Sequence, residues 1–314
     1  MSMLRRAITQ RHDVFRRGMA GARRYLHLAP PFLLDDYTPR YMALTSIDES
    51  KKRSKAYAHL SKCNLCPRLC GVNRFETTGM CLIGNDTKVN VIAPHFGEEP
   101  CVQGHNGSGA VFFSGCNLRC VFCQNHDIAH QRNGQDLTPE ELGECFDSLA
   151  SLELLDGLVD IYLPDFKVWE SATSKRLLKA DDYAATARES IKAMHNQVGD
   201  LCFTGDGIAK SGLLVRHLVM PGKEKEGHRI MQFLAEEVSR DCFVNIMEQY
   251  HPDAHVGKTK RRNKKSTDTQ DDELRYSEIN RAVSGDEVSS VRKAAETAGL
   301  WRFCDPPRHD GFNI

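Results

Sequence analysis

FFSGCNLRCVFCQNHDI (Phe112–Ile128) places Cys116, Cys120 and Cys123 in the spacing Cys-x-x-x-Cys-x-x-Cys, directly after the apolar run AVFF at residues 110–113. Gly109 and Gly115 bound that run, the pattern of a short buried strand. Working outward, LTPEELGECFDSLASLELL (137–155) has apolar residues near helical spacing, with Thr138 and Glu141 set as a capping box. LVDIYLPDF predicts a strand over 159–163 that stops at Pro164, and YAATARESIKAMHNQVG a helix ended by Gly199. LLVRHLVMPG and CFVNIMEQY predict strands, HRIMQFLAEEVS and EVSSVRKAAETAGL helices, and upstream KVNVIAPH (88–95) a further strand. Alternating strands and helices imply an α/β fold with a parallel sheet and right-handed crossovers. Such sheets carry their chemistry at the carboxyl ends of the strands, which is where the three cysteines fall.

Three thiolates leave a metal site one ligand short. Structural zinc wants four protein ligands, and His126 or His130 would complete a set. An iron–sulfur cube also normally takes four thiolates. If Cys116, Cys120 and Cys123 hold three irons, the fourth is open to a small molecule with amino and carboxylate groups. A second set, Cys63, Cys66, Cys70 and Cys81, reads Cys-x2-Cys-x3-Cys-x10-Cys, enough for zinc or for a second cluster. Cys101, Cys145, Cys202, Cys242 and Cys304 stand singly and read as core residues.

HFGEEPCVQGHNGSGAVFFSGCNLRCVFCQNHDI and VDIYLPDFK together resemble the radical SAM proteins related to pyruvate formate-lyase activating enzyme, and CNLCPRLCGVNRFETTGMC, GLLVRHLVMPG and MEQYHP are similar to blocks of the same group. The likeness runs from about residue 60 to the end. It implies a (β/α) radical SAM barrel with a [4Fe-4S] cluster on Cys116, Cys120 and Cys123. It also implies S-adenosylmethionine (SAM) on the open iron, reductive cleavage to a 5′-deoxyadenosyl radical, and hydrogen abstraction from a substrate. A flavodoxin- or ferredoxin-like reductant would be a partner. Phe122 would lie near the adenine, with packing under the loop as its plainer role. Asp165 and Lys167 match an Asp-x-Lys near the cofactor, against the alternative of a surface pair, and Arg216 matches an arginine of the activating enzymes, against a structural charge. Arg216 and His217 share an apolar strand, so one of them must face something polar. Gln249, Tyr250 and His251 end the last strand and are further candidates to line the site.

The chain departs from that group between LGECFDSLA and VDIYLPDFK, where about two strand–helix units are missing. At ~31 residues per unit of an eight-unit, 250-residue barrel that is roughly 60 residues. The expected fold is a partial barrel, with one wall of the cofactor pocket gone near 150–155. A degenerate paralogue, a splice product and an incorrect gene model are the competing explanations. The corresponding functional alternatives are a radical SAM enzyme, a catalytically impaired iron–sulfur or metal-binding protein, and a zinc-only regulatory module.

Composition bounds the rest. Of 314 residues, 42 are Lys or Arg and 42 Asp or Glu, so no global charge recommends nucleic acid or an anionic membrane as partner. No apolar run reaches the ~18 residues of a membrane span, and the chain reads as soluble. Eight of the 12 cysteines lie between Cys63 and Cys123, a clustering that favours metal ligation in a reducing compartment over disulfides. Residues 1–50 read as an extension, 51–105 as a Cys-rich metal-binding segment and 106–314 as the core domain. Within the first thirty, seven arginines face one acid, Asp13, the composition of a mitochondrial presequence or of a disordered basic tail, so the mitochondrion and the cytoplasm are both expected locations. KTKRRNKKSTDTQDDE (258–273) has no apolar residue and reads as a solvated loop rather than a nuclear-localisation signal.

Overall fold

A computed structural model of the chain describes residues 31–104, 107–138, 152–259 and 274–304. In chain order the elements are α1 (Ser46–Ser61), β1 (Thr87–His95), α2 (Pro100–Gln103), β2 (Ser108–Phe113), α3 (His126–Ala129), β3 (Gln135–Leu137), α4 (Leu152–Leu155), β4 (Ile161–Tyr162), α5 (Ser171–Leu178), α6 (Tyr183–Val198), β5 (Cys202–Phe203), β6 (Ala209–Leu218), α7 (Glu224–Phe233), β7 (Phe243–Met247), α8 (Gly285–Ala298) and β8 (Arg302–Phe303). The architecture is α/β with two sheets, one antiparallel and one mostly parallel.

β6 organises the larger sheet. It pairs in parallel with β4 on one side and β7 on the other, β8 extends β7, and β5 runs antiparallel along its first half. Side chains alternate across it: Leu213 and Val215 face one way and Leu214 the other, all fully buried. The first face packs with Tyr162 and Val244 against Ile191 of α6, Ile230 and Met231 of α7 and Val291 and Ala295 of α8. The crossovers that parallel pairing demands therefore set their three long helices on one face. On the other face Leu214 meets Leu201, Phe203 and Phe243. α6 ends at Gly199 as its sequence predicts. α8 opens on a capping box of Ser284 and Glu287 and closes at Gly299 in the left-handed conformation.

The strand predicted at 110–113 forms, but not where expected. β2 is half-buried and lies antiparallel to β1 in a separate sheet of order β2-β1-β3. Its partner is the strand just before it in the chain, so closing the pair costs little loop entropy. No strand among the described residues pairs the outer side of β4. Beyond Tyr162 that ladder continues past Pro164, which has no N–H to give: Arg216 N–H donates to the Pro164 carbonyl and Phe166 N–H to the Arg216 carbonyl.

Residues 31–50, expected to lie outside the fold, are tied into it. Phe32 is buried, Leu33 bridges Phe203 in parallel, and Leu34 N–H donates to the Phe203 carbonyl at 2.8 Å. Arg40 donates to the Val159 carbonyl and pairs with Asp156, and Tyr37 hydrogen-bonds Asp160, so this segment covers the approach to β4. α1 escapes sequence periodicity because it buries no residue; Thr45 caps it and helix-forming residues carry it. The presequence reading of residues 1–30, the body of the 137–155 helix with Glu141 and Cys145, and residues 260–273 of the basic–acidic loop lie outside the described residues. No helix among the described residues is long and apolar enough to cross a membrane.

Candidate functional site

The cysteine loop leaves β2 through Gly115, whose φ is 87° and where a Cβ would sit 2.6 Å from the Ile83 side chain. Backbone bonds then seat it: Arg119 N–H donates to the Leu178 carbonyl at 3.1 Å and Val121 N–H to the Leu177 carbonyl at 2.8 Å. Val121 and Phe122 are buried against Leu177, Leu178, Met220 and Tyr250. The Phe122 ring stands edge-on to Tyr250 with centroids 5.9 Å apart, which is the packing role. Cys120 is buried and Cys116 and Cys123 are half-buried. Amide N–H groups point at two of the sulfurs, Leu118 at Cys116 and Asn125 at Cys123. Burial pushes the Cys120 thiol up to about 12 and Cys123 up as well, while the Lys167 ammonium pulls both back down.

Across the carboxyl edge of the parallel sheet runs a polar row. Asp165 follows β4 and bridges Arg216 of β6, which registers with Asn245 of β7. Asp165 accepts from Arg216 Nε at 2.8 Å and from Lys167 Nζ at 2.6 Å. Burial pushes the Asp165 carboxyl up, but Lys167 and Arg216 outweigh it and hold it below the usual range. Glu98 and Glu99 reach over from the segment before α2, 3.8 and 3.7 Å from Arg216. Glu99 Oε1 accepts from Asn245 Nδ2 at 3.0 Å, whereas its Oε2 is buried without a hydrogen bond among the described residues. Three carboxylates thus face two cations, with one buried acceptor open, an arrangement that suits an ammonium-bearing ligand. Beside the row is a cleft of about 360 Å³ lined by Arg68, Asn117, Leu118, Asp165 and Tyr183, at the small end of the ~300–1,000 Å³ usual for ligand clefts.

Both polar residues of β6 find partners, since adjacent strand positions face opposite ways. Arg216 meets Asp165, and on the other side His217 hydrogen-bonds through Nδ1 to the Phe166 carbonyl at 2.7 Å. Tyr250 is buried and donates to the Ile279 carbonyl, Gln249 offers its backbone carbonyl to Gln124, and His251 is exposed. Cys101 and Cys304, expected to stand singly, meet in a thiol–thiol hydrogen bond.

The first cysteine group is organised by a residue that sequence spacing does not single out. Cys63 N–H donates to the Val72 carbonyl and Gly71 N–H to the Cys63 carbonyl, closing a knuckle that carries Cys66 and Cys70. The buried Arg74 guanidinium enters it, with Nε 2.9 Å from Cys63 Sγ and Nη2 3.4 Å from Cys81 Sγ. Arg68 ties this segment to the other, donating to the Asn117 and Lys179 carbonyls. Tetrahedral zinc at ~2.3 Å per thiolate needs sulfurs about 3.8 Å apart. Among the described residues no three thiols lie within 4.8 Å of one another; the group that does is His126, His130 and His255.

No protein-family model matches the chain. A protein of Methanocaldococcus jannaschii, described only as uncharacterized, is 26% identical over 290 residues, covering 76% of this chain and 75% of that protein. Since 76% of 314 residues is about 239, some 51 of the 290 aligned positions have no residue in this chain.

Proposed function

We propose that the chain is a radical SAM iron–sulfur protein of the activating-enzyme type with a partial (β/α) barrel, in which Cys116, Cys120 and Cys123 hold a [4Fe-4S] cluster and leave one iron for SAM. The observation that carries this reading is the convergence of two features on one sheet edge. The three-thiol loop is seated on α5, and Lys167, its charge felt by Cys120 and Cys123, is bonded to Asp165 in the row with Arg216. When bound, a reduced cluster would supply the electron that cleaves SAM. The protein's own work is placement. Leu118 and Asn125 N–H groups favour the thiolate forms. Lys167 and Arg216 offer cations to a carboxylate, and Glu99 Oε2 offers an acceptor to an amino group. The buried face of Val121 and Phe122 keeps water from beneath the loop. The helices gathered on one face of the parallel sheet support a barrel-like curl rather than a doubly wound sheet.

The side of β4 that no described strand pairs, together with the aligned positions that this chain lacks, favours a second reading: an iron–sulfur protein whose SAM cleavage is impaired. Anaerobic reconstitution with iron and sulfide tests the first. The parent should hold about four irons and four sulfides with broad visible absorbance, lost when Cys116, Cys120 and Cys123 are all replaced by Ala. Iron and sulfide unchanged in that triple variant would sink the cluster assignment. A 5′-deoxyadenosine assay on the reconstituted parent separates the two readings.

A further inference from the structure

His126 and His130 stand four residues apart at α3, which sets both imidazoles on one side of a helical turn closed by the His130 N–H to His126 carbonyl bond at 2.9 Å. His255 arrives from the loop after β7, and its backbone N–H donates to the Val121 carbonyl at 2.9 Å, so this third residue is anchored on the cysteine loop itself. A ring nitrogen from each lies within 4.8 Å of the other two, and the ring centroids are 4.6, 5.3 and 6.4 Å apart. All three are half-buried. Zinc–imidazole bonds of ~2.0–2.1 Å put ligand nitrogens roughly 3.3 Å apart, a closure that small ring rotations supply.

The chemistry of the set narrows the ion. It contains no carboxylate, which magnesium or calcium would require. Three imidazoles suit the borderline transition metals. The rings bear on one another, and cationic neighbours add to this: Arg119 on His130, and Arg275, Lys258 and Lys179 on His255. Burial, as well as these neighbours, disfavours the charged form of His130 and His255. Imidazole is an uncharged ligand, so a bound dication would keep its charge and favour water or an anion at a remaining position.

We propose that His126, His130 and His255 bind one borderline divalent transition-metal ion, zinc above all, with an open position for water or an anion, and that the ion staples the cysteine loop to the 250–259 loop. The site uses none of the cysteines and stands whether or not a cluster forms.

Titration of the full chain with Co2+ and with Zn2+ tests this. One equivalent of Co2+ should give a weak ligand-field spectrum without sulfur-to-cobalt charge transfer, distinct from any thiolate-bound metal. His255→Ala and, separately, His126→Asn should remove that equivalent or weaken it by more than about 100-fold, above the 10–100-fold typical of losing an outer partner. Both variants should keep the iron and sulfide content that the parent reaches on reconstitution. Equal zinc affinity in the parent and both variants overturns the site. If a variant proves misfolded by circular dichroism, the parent's cobalt spectrum decides: nitrogen and oxygen ligation alone supports the site, and sulfur ligation alone refutes it.

Discussion

His217 shows what a single buried side chain imposes. It is 2% exposed, hydrogen-bonded to the Phe166 carbonyl, and its ring is lowered by burial to about 4. The unfolded chain protonates this residue near 6.5, so between about 6.5 and 4 the unfolded state binds more protons and stability falls as pH falls. Acidification from pH 7 to 4.5 should cost the parent about 2 kcal/mol more than a His217→Gln variant, which keeps a donor for the carbonyl. Urea midpoints at the two pH values give the difference, and identical pH dependence in both proteins would refute it. Asp165 titrates in a lower window. Its pairing with Lys167 and Arg216 stabilises the fold above the ordinary carboxylate range and is lost only as pH drops below it.

Among the elements, β6 is the least replaceable. Gly212 sits where β4, β6 and the Asp200–Leu201 backbone meet; its φ is 119°, and a Cβ there would collide with the Asp200 oxygen and the Leu201 Cα. That backbone cannot yield as a flexible side chain would. Gly212→Ala should therefore lower stability by at least the ~1–3 kcal/mol of an overpacked core site. At Gly109 in β2 nothing lies within 4 Å of the place a methyl group would take, and Gly109→Ala should be neutral within about 1 kcal/mol. Thermal melts of the two variants check the contrast, and a tolerated Gly212→Ala would show that β6 sits farther from that backbone than its geometry states.

At the scale of the whole molecule, the cysteine loop and the Asp165–Arg216 row share an edge, but the strand that precedes the loop does not join the sheet that carries the row. A cluster needs only the loop and its thiols. If the chain binds SAM as proposed, productive cleavage needs the sulfonium and its 5′ carbon aimed, and small misplacements cost orders of magnitude in rate. The chain as it stands should thus form 5′-deoxyadenosine slowly or not at all. Inserting a strand–helix segment from a longer relative after Leu155 should raise the rate by at least about 100-fold. Equal turnover by both proteins would mean that the sheet of this chain suffices.

Local order is legible in the residues. Helix α6 with its Gly199 stop, the strands around Arg216 and Asn245, and the strand 88–95 follow from period, glycine and β-branched runs, because these signals act within a few residues. The cysteine spacing likewise marks Cys116, Cys120 and Cys123 as metal-ligand candidates by itself. Placement is not legible. Nothing local tells β2 to pair with β1 rather than enter the parallel sheet, since an AVFF run fits either and the choice rests on which partner is in reach. Arg74 among the thiols, Glu99 over Arg216, and His255 beside His126 and His130 are meetings between distant segments. Sequence proposes such residues singly; only the burial of β6 and its neighbours, acting over the whole chain, decides which of them touch.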